Sequence, residues 1–555
     1  MNYPLPRLKP GLLLWSIMLS IGPAAVGVAA DQADSARPNV LLILVDDLGY
    51  SDLSSYGGEI RTPHIDSLAR DGLLMTQFYN ASRCSVSRAS IMTGLYHHQA
   101  GVGANNPRGT PEYQAALNDQ CVTMAEVLRE AGYATYLSGK WHLGEADGQR
   151  PQARGFDRSY GILRGMSMYF NHHRRPGRQG DGDTLVIDRS KRWRFLLDDR
   201  DVDVPETTMD MWARNEGYYT TDAFTDYAIE FLEQHQVERA DDPFFLYLAY
   251  TAPHWPLQAF PEDIARYRGV YDAGWDRVRE ERYQRLLELG IVDPSTALGP
   301  RTKKVGPWET ATEADREEFV REMEVYAGMV DRVDQNVGRI LAKLEVMGVS
   351  ENTMVIFLSD NGGAHTTRNH EGLPEHLGSP RSVATYGYIG ANVSNTPFRL
   401  QKQYVHEGGI ATPFIVRYPA AIPAGEVDRQ VAHIIDLMPT VLDYSGTTYP
   451  ETYAGHEIRP LVGQSLRPIF AGDELSDNQP WFWEHRGNKG VRLGDWKLVA
   501  AHPGLAWELY NMAEDRSEMH DLASAMPHKR DQLIALYTDW AEANRVLPPI
   551  PGEVP

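Results

Sequence analysis

The sequence has little cysteine, no excess of positive charge and, beyond its first thirty residues, no long hydrophobic run. Only Cys84 and Cys121 occur among 555 residues, so at most one disulfide could form and a buried core must stabilise the fold. Lys and Arg number 54 against 75 Asp and Glu, a formal net charge of −21. So acidic a surface repels nucleic acid and excludes it as a general partner.

The one long apolar run lies at the N-terminus. Arg7 and Lys9 precede the apolar stretch Gly11–Val28, and small residues follow it up to residue 30. This order is typical of a secretory signal, cleaved before Asp31. A membrane anchor is the alternative, but the run is short and interrupted by Pro23. We expect residues 1–30 to be removed, the mature chain to be periplasmic or secreted, and no stable membrane insertion.

Three continuous apolar runs predict strands buried on both faces of a sheet: Asn39–Val45, Phe244–Tyr250 and Met354–Leu358. Helical patterns alternate with them at residues 63–72, 122–132 and about 315–347. The alternation predicts an α/β fold, a large doubly wound, mostly parallel mixed sheet flanked by helices. Residues 144–222 and 262–312 show little periodicity, and we interpret them as loop insertions over the sheet, where substrate-binding loops usually lie.

The pattern changes near residue 475. Short strand-like segments at Trp481–His485, Lys489–Leu493 and Trp496–Val499 are followed by a helical pattern over about 528–544. Strands followed by a helix predict a smaller C-terminal α+β domain. The expected organisation is a signal peptide at 1–30, a catalytic α/β domain at 31–474 and the C-terminal domain at 475–555.

Oxygen-bearing side chains follow two of the predicted strands. Asp46 and Asp47 come after the first strand, and Asp360 and Asn361 come one residue after the third. Doubly wound folds place their sites at the carboxyl edge of the sheet. Crowded carboxylates repel one another unless a cation neutralises them, and an all-oxygen set suits Ca²⁺ or Mg²⁺ rather than zinc. Helix caps or turns are the alternative for each pair.

Between these pairs, residues 83–94 read Arg-Cys-Ser-Val-Ser-Arg-Ala-Ser-Ile-Met-Thr-Gly. The string resembles the signature of the type I sulfatases, in the alkaline phosphatase superfamily, Cys-x-Pro/Ala-Ser-Arg followed by Leu/Met-Thr-Gly. The resemblance implies that a maturation enzyme oxidises Cys84 to formylglycine, whose hydrated aldehyde is the nucleophile, with Arg88 holding its deprotonated hydroxyl. Val86 departs from the pattern at the position that the usual aerobic maturation enzyme reads. Cys121 is then expected to be a buried thiol.

Three further blocks resemble the same family: Gly139–Gly144, Thr251–Pro256 and Asn395–Gly409. The resemblance implies that Lys140 and Lys402 contact the sulfate, that His142 contacts the aldehyde hydrate, and that His254 binds the substrate and protonates the leaving oxygen. Alternation along an extended chain would put Lys140 and His142 on one side. In the last block we interpret Arg399, His406 and Glu407 as shaping the strand and turn. The metal shell that the resemblance implies is Asp46, Asp47, Asp360, Asn361 and the modified residue 84.

The resemblance implies a sulfuric ester hydrolase that acts on an aryl sulfate or a sulfated carbohydrate. Two alternatives remain open: a phosphate or phosphonate monoester hydrolase of the same superfamily, and a non-catalytic sulfoglycan-binding protein in which Cys84 stays a thiol. The segment Tyr169–Arg175 is rich in aromatic and basic residues. It could grip a sugar or a second anion, or be a solvated loop.

Overall fold

The computed structural model describes residues 37–170, 176–178, 185–187, 194–366, 376–475, 479–502, 504 and 506–549. The predicted signal at 1–30 lies outside these residues. The strands are β1 Asn39–Asp46, β2 Leu73–Tyr79, β3 Ala134–Lys140, β4 Arg158–Ile162, β5 Pro176–Arg178, β6 Leu185–Ile187, β7 Phe195–Leu197, β8 Arg200–Val202, β9 Phe244–Pro253, β10 Thr353–Ser359, β11 Ala411–Arg417, β12 Glu426–His433, β13 Thr452–Tyr453, β14 His456–Glu457, β15 Trp481–His485, β16 Asn488–Leu493, β17 Trp496–Ala500 and β18 Trp507–Asn511. The α-helices are α1 Pro63–Arg70, α2 Cys84–Thr93, α3 Met124–Glu130, α4 Met209–Ala213, α5 Thr220–Glu238, α6 Pro261–Ala265, α7 Gly274–Glu288, α8 Glu313–Val346, α9 Gly387–Ser394, α10 Glu407–Ile410, α11 Leu437–Ser445, α12 Arg467–Phe470 and α13 Pro527–Ala543.

The main sheet is mixed and mostly parallel at its centre, as the sequence predicted. Within the described residues its ten strands run in the order β12-β2-β11-β10-β1-β9-β3-β4-β7-β8. Strands β10, β1, β9, β3 and β4 are parallel neighbours, whereas β11 and β7 pair antiparallel to the strands beside them. The parallel centre brings the carboxyl ends of β1, β9, β3 and β10 to one edge.

Strand β1 shows why the apolar runs form the centre of this sheet. Leu41, Ile43 and Val45 belong to one hydrophobic cluster, and Val40 and Leu44 belong to another. Successive side chains point to opposite faces of a strand, so both faces of β1 are buried and every position must be apolar. The prediction of doubly buried strands is confirmed.

Helices cover both faces of the main sheet. Helices α1, α5 and α8 pack on one face, through residues such as Leu68, Phe224 and Tyr326. On the other face α2, α3 and α11 contribute Val86 and other buried residues to the second cluster. Helix α8 begins with a capping box in which the Thr312 hydroxyl accepts from the Asp315 N–H, which fixes its first turn. The doubly wound prediction is confirmed.

The prediction of loop insertions at residues 144–222 and 262–312 is wrong in part. The first segment contains β4, β7 and β8, which extend the main sheet, and the second contains α7. Helix α7 was missed because its buried face carries the arginines Arg279 and Arg282 beside Trp275 and Val278. A buried face with two cations has no simple apolar period for sequence reasoning to detect.

The C-terminal region forms a second, antiparallel sheet with the order β15-β16-β17-β18, against which α13 packs. The predicted strands and helix are present, and β18 was not foreseen. The Phe482 ring of this sheet stacks on Trp540 of α13 at 5.0 Å, and both pack against Tyr96 of the main region. Contacts from Arg37 onward cluster in one compact unit. The domain boundary at residue 475 stays a prediction.

Among the helices in the part of the chain that the structure describes, none is both long and apolar enough to cross a bilayer.

Candidate active site

The two oxygen-bearing pairs meet at the carboxyl edge of the sheet. In the parallel pair β1 and β10, Val45 lies opposite Ser359, and the Asp360 N–H donates to the Val45 carbonyl at 3.1 Å. The side chains of Asp46 and Asp360 are therefore brought into one pocket, beside those of Asp47 and Asn361. All four are buried.

These buried side chains present oxygens that protein donors do not satisfy. Among the described residues, no donor reaches Asp46 Oδ1, Asp47 Oδ2, Asp360 Oδ1 or Asn361 Oδ1. A buried oxygen without a partner costs about 1–3 kcal/mol, and more when it is charged. Burial and the negative charge of Asp46 raise the pKa of Asp360 well above its usual range. These four oxygen atoms are therefore suitable ligands for a hard divalent cation such as Ca²⁺ or Mg²⁺.

His254 lies beside the same carboxylates. Oxygens of Asp46 and Asp47 and a ring nitrogen of His254 all lie within 4.8 Å of one another, and His254 Nε2 is 3.6 Å from Asp47 Oδ2. His254 Nδ1 is 2.6 Å from the Trp255 carbonyl oxygen. Burial lowers the pKa of His254 even though Asp47 and Asp46 raise it. Nδ1 thus donates to the backbone, and Nε2 is left to face the pocket.

Cys84 is the first residue of α2, which follows β2. It is buried, and so is the rest of that helix. Burial raises the pKa of the Cys84 thiol, but Lys140 and Lys402 outweigh it and lower the pKa to about 7. The N-terminal end of a helix also favours negative charge. The site therefore favours an anionic oxygen or sulfur at residue 84.

Arg88 lies one turn further along α2 with its guanidinium buried. Its Nε donates to Asp360 Oδ2 at 2.8 Å and its Nη1 donates to the Lys140 carbonyl at 2.9 Å. These bonds fix the Asp360 carboxylate and the end of β3. The arginine predicted beside residue 84 therefore also orients a proposed metal ligand.

Lys140 and His142 leave β3 in a way that the sequence did not predict. The strand ends at Lys140, whose Nζ contacts Asp46 Oδ2. His142 has φ +60°, a left-handed conformation. The expectation of alternation assumed an extended chain beyond Lys140, whereas a left-handed residue turns the backbone out of the strand. Burial and the charges of Lys140 and Arg88 lower the pKa of His142 well below its usual range, so His142 still lies near Lys140, and their shared role stays a prediction. His142 Nδ1 has no hydrogen-bond partner among the described residues.

Lys402 reaches the site from the loop between α9 and α10. Its Nζ contacts Asp47 Oδ1, and its N–H donates to the Gly363 carbonyl at 3.2 Å. The next residue, Gln403, donates its N–H to the Ser82 carbonyl at 2.9 Å. This loop thus ties the Asp360 segment to the segment that precedes Cys84.

The block around residue 407 connects the site to the C-terminal sheet. The buried Glu407 carboxylate accepts from Lys497 Nζ at 2.7 Å and from Tyr79 Oη at 2.9 Å. Arg399 donates to Glu508 and Tyr510, and His406 lies 3.3 Å from Glu508. The contacts of Arg399, His406 and Glu407 are structural, in keeping with the interpretation from sequence.

Cys121 lies away from this centre as a buried free thiol. Its Sγ is 3.3 Å from the Asn118 carbonyl oxygen, and burial raises the pKa of the thiol. Cys84 is likewise a free thiol in this structure, so the sequence's alternative of a disulfide between them is not realised here.

The suggestion that Tyr169 and Phe170 could grip a sugar is wrong. Both side chains are buried in the core, and the Tyr169 hydroxyl donates to the backbone carbonyls of Thr251 and His254. Tyr169 therefore holds the His254 loop in place. The rest of that suggestion, residues 172–175, lies outside the described residues.

Sequence reasoning missed residues that hold the site from a distance. The Tyr326 hydroxyl on α8 donates to Asp52 Oδ2 at 2.7 Å, and the Arg282 guanidinium on α7 donates to Asp52 Oδ1 at 2.7 Å. The Asp52 carboxylate also accepts from the Gly49 N–H at 2.8 Å, which fixes the turn after Asp47. Tyr326 and Arg282 are hundreds of residues away in sequence, so no local motif could have revealed them.

The chain is a hydrolase of sulfuric esters, as comparison with known proteins shows. A family model described as Sulfatase matches residues 38–447, and a second, described as N-sulphoglucosamine sulphohydrolase, C-terminal, matches residues 398–537. The chain belongs to the sulfatase family, as the sequence motifs implied.

Three relatives illustrate the similarity. An uncharacterised sulfatase of Schizosaccharomyces pombe is 33% identical over 543 residues, covering 91% of this chain and 93% of its own. An arylsulfatase of Klebsiella aerogenes is 32% identical over 457 residues, covering 79% and 93%. The solved structure of Ps i-CgsB in complex with k-i-k-neocarrahexaose has 27% identity and a TM-score of 0.66, and covers 92% of this chain and 93% of that one.

Proposed function

We propose that this protein hydrolyses a sulfate monoester to an alcohol and inorganic sulfate, using a formylglycine made from Cys84 and a divalent cation, Ca²⁺ or Mg²⁺. The observation that carries the proposal is the set of four unsatisfied buried oxygens beside the N-terminus of α2. A nucleophile at residue 84, a cation site and two buried lysines in one pocket suit attack on a tetrahedral oxyanion.

Asp46, Asp47, Asp360 and Asn361 would hold the cation, with residue 84 completing the shell. The cation supplies charge stabilisation to the sulfate oxygens. Hydrated formylglycine supplies a hydroxyl nucleophile at residue 84. Arg88 keeps the Asp360 carboxylate in place through the bond at 2.8 Å.

Lys140 and Lys402 would bind the sulfate. In the structure their ammonium groups contact Asp46 and Asp47. A bound cation would neutralise these carboxylates and leave both ammonium groups to donate to sulfate oxygens. Two fixed positive charges in a water-poor pocket then stabilise the charge of the transferred group without reorganisation.

His254 would protonate the departing oxygen. Its Nδ1 is held by the Trp255 carbonyl, and Nε2 faces the pocket. Burial lowers the pKa of His254, whereas the neighbouring carboxylates and a bound sulfate favour the protonated form. A histidine suits this work because its ordinary pKa lies near neutral pH. His142 would contact the hydrated aldehyde.

The proposed substrate is a sulfated carbohydrate or an aryl sulfate. A relative that is 32% identical to this chain is named an arylsulfatase, and Ps i-CgsB was solved with a neocarrahexaose. Both substrate kinds present the same sulfate monoester to the pocket, and they differ in what lies beyond the sulfur.

The protein is also proposed to be exported and to need a formylglycine-generating enzyme. The expected processing leaves a mature chain that begins at Asp31, and Edman sequencing of the protein recovered from the periplasm or medium measures this. Chain that retains residues 1–30 would contradict the signal prediction.

The test of the proposed function begins with residue 84. Trypsin cleaves after Arg83 and Arg88, so protein made in a host with a formylglycine-generating system should yield the peptide 84–88 in a lighter, aldehyde-reactive form. The same protein should hydrolyse 4-nitrophenyl sulfate faster than 4-nitrophenyl phosphate. Faster phosphate hydrolysis would favour the phosphatase alternative, and an unmodified thiol with binding but no turnover would favour the sulfoglycan-binding alternative.

A further inference from the structure

A row of polar and aromatic side chains runs from the protein surface to the loop that carries Lys402. Lys304, which is exposed, has its Nζ 4.0 Å from the centroid of the Tyr388 ring. The Tyr388 ring lies 4.9 Å from the His365 ring, and His365 lies 6.3 Å from the Tyr404 ring. Tyr404 is two residues beyond Lys402. The row therefore ends beside one of the two proposed sulfate-binding lysines.

His365 is the unsatisfied member of this row. It is only 6% exposed, and its Nδ1 has no hydrogen-bond partner in the described part of the chain. A buried polar atom without a partner is costly and in native structures calls for a specific explanation. A ligand oxygen at this position would satisfy the imidazole nitrogen.

Three cationic side chains lie close enough to the His365 imidazole to affect its pKa. Burial lowers the pKa of His365, and the charges of Lys402, Arg83 and Lys304 lower it further, to about 4. Arg83 is the half-buried residue that directly precedes Cys84. At His365 these three positive charges outweigh the nearby negative charge of Asp47, although the whole chain carries −21. Such local charge attracts an anion that the overall surface repels.

Binding of the transferred sulfate, as proposed above, does not require the side chains of this row. Lys140 and Lys402 are already assigned to the transferred sulfate. The charges of Arg83, Lys304 and Lys402 all act on His365, so a substrate whose sulfate binds at Lys402 would bring its neighbouring atoms towards these groups. A simple aryl sulfate offers nothing anionic at that place.

We propose that Arg83, Lys304 and His365 form a second anion subsite, which binds a sulfate or carboxylate on the sugar ring that carries the scissile sulfate. This inference rests on the proposed function and narrows its substrate class to sulfated carbohydrates with at least two anionic groups. His365 Nδ1 would donate a hydrogen bond to an oxygen of this second anion, and the positive charges of Arg83 and Lys304 would attract it.

The test measures binding without turnover. Cys84→Ala protein with Ca²⁺ is titrated calorimetrically with glucosamine 2-N,6-O-disulfate, glucuronic acid 2-sulfate and glucosamine 6-sulfate. The first probe offers a second sulfate, the second a carboxylate and the third no second anion. We expect at least one dianionic probe to bind more tightly than glucosamine 6-sulfate.

Variants in this background locate the subsite. Lys304→Ala should lower the affinity for the more tightly bound of the two dianionic probes about fivefold, and Arg83→Ala should lower it about tenfold. Both variants should have a smaller effect on the affinity for glucosamine 6-sulfate. Lys303→Ala is the matched control, because it removes the same charge from the neighbouring exposed residue. It should leave all three affinities unchanged. Lys304 is exposed, so its replacement should not impair folding, which thermal unfolding checks.

Two results would overturn the subsite. One is equal affinity for the three probes, and the other is an equal loss for all probes in Lys304→Ala and Arg83→Ala. A failure of the proposed function would be detected separately. Protein in which Cys84 has been converted to formylglycine would then not hydrolyse 4-nitrophenyl sulfate, a substrate that does not need the subsite.

Discussion

At the scale of single residues, the site contains buried charged side chains, each of which is paired with a side chain of opposite charge. Asp46 lies against Lys140, Asp47 lies against Lys402, and Asp360 is bound by Arg88. Removing one partner of a buried pair leaves an uncompensated charge and is far more costly than breaking a surface pair. Substitutions that test a chemical step are therefore best made at residues outside these pairs, such as residue 84 and His254.

Cys84→Ala should abolish turnover and leave the fold intact. The residue makes its contribution through chemistry at one atom, and shortening this small buried side chain costs only about 1 kcal/mol. Hydrolysis of 4-nitrophenyl sulfate and the thermal unfolding midpoint measure the two effects. Cys121→Ala is the control, because it removes the other buried thiol and should keep full activity. Turnover by Cys84→Ala protein would refute the mechanism.

His254→Gln should slow the release of poor leaving groups most. General acid catalysis contributes roughly 10²–10⁴-fold, and an alkyl or sugar alkoxide needs the proton more than nitrophenolate does. The measurement is kcat/KM on glucosamine 6-sulfate and on 4-nitrophenyl sulfate. His520→Gln, at a side chain 79% exposed, should match the unsubstituted enzyme on both. An equal loss on both substrates would assign His254 another role.

At the scale of elements, loops from distant parts of the chain are tied together around the strand ends. The Lys402 loop bonds to the Asp360 segment through Gly363 and to the Cys84 segment through Ser82. Five residues later, Glu407 anchors the same block on β17 through Lys497. The C-terminal sheet therefore supports a lysine of the proposed site without entering it.

Glu407→Ala should destabilise the protein by about 3–5 kcal/mol, because it leaves the buried Lys497 and Arg516 without their shared carboxylate. The urea midpoint of unfolding measures the loss. Glu351→Ala is the control, since Glu351 pairs with Arg417 while 81% exposed and should cost less than about 1 kcal/mol. Similar costs for both variants would show that the buried network does not support the fold.

Much of the element pattern could be predicted from sequence, because strands buried on both faces must be apolar throughout. Asp46 and Asp360 were predicted to meet because they follow such strands. Helix α7 was not predicted because its buried face carries Arg282 and therefore lacks an apolar period. The left-handed φ of His142 was not predicted because a periodic pattern does not report the backbone conformation of a single residue. His365 could not be predicted as part of a row, since Lys304 and Tyr388 reach it from other segments.

At the scale of the whole molecule, an acidic chain holds four unsatisfied buried oxygens together at the carboxyl edge of its main sheet. A cation that binds the folded state alone stabilises it by RT ln(1 + [L]/Kd), about 2.7 kcal/mol at a hundred times Kd. The proposed ion is therefore both a catalytic group and a structural one.

Chelation should lower both the unfolding temperature and the activity, and Ca²⁺ should restore them better than Zn²⁺, because the ligands are all oxygen. Calorimetric scans with EGTA and with each ion measure the shift. In Asp360→Asn protein the Ca²⁺-induced shift should shrink, because a charged ligand is lost. Preferential rescue by Zn²⁺ would contradict the oxygen-ligand argument.

Strand β1 lies between β10 and β9 in the interior of the main sheet, and Asp46 is its last residue. Amides in such a strand exchange with solvent only when most of the molecule opens, whereas loops open singly. The Asp46 carboxylate at the end of β1 should thus keep its position during local opening of the structure. The segments that carry Lys304 and Tyr388 can open without disturbing it. Evolution could then vary the groups that select a sugar without loosening those that break its ester.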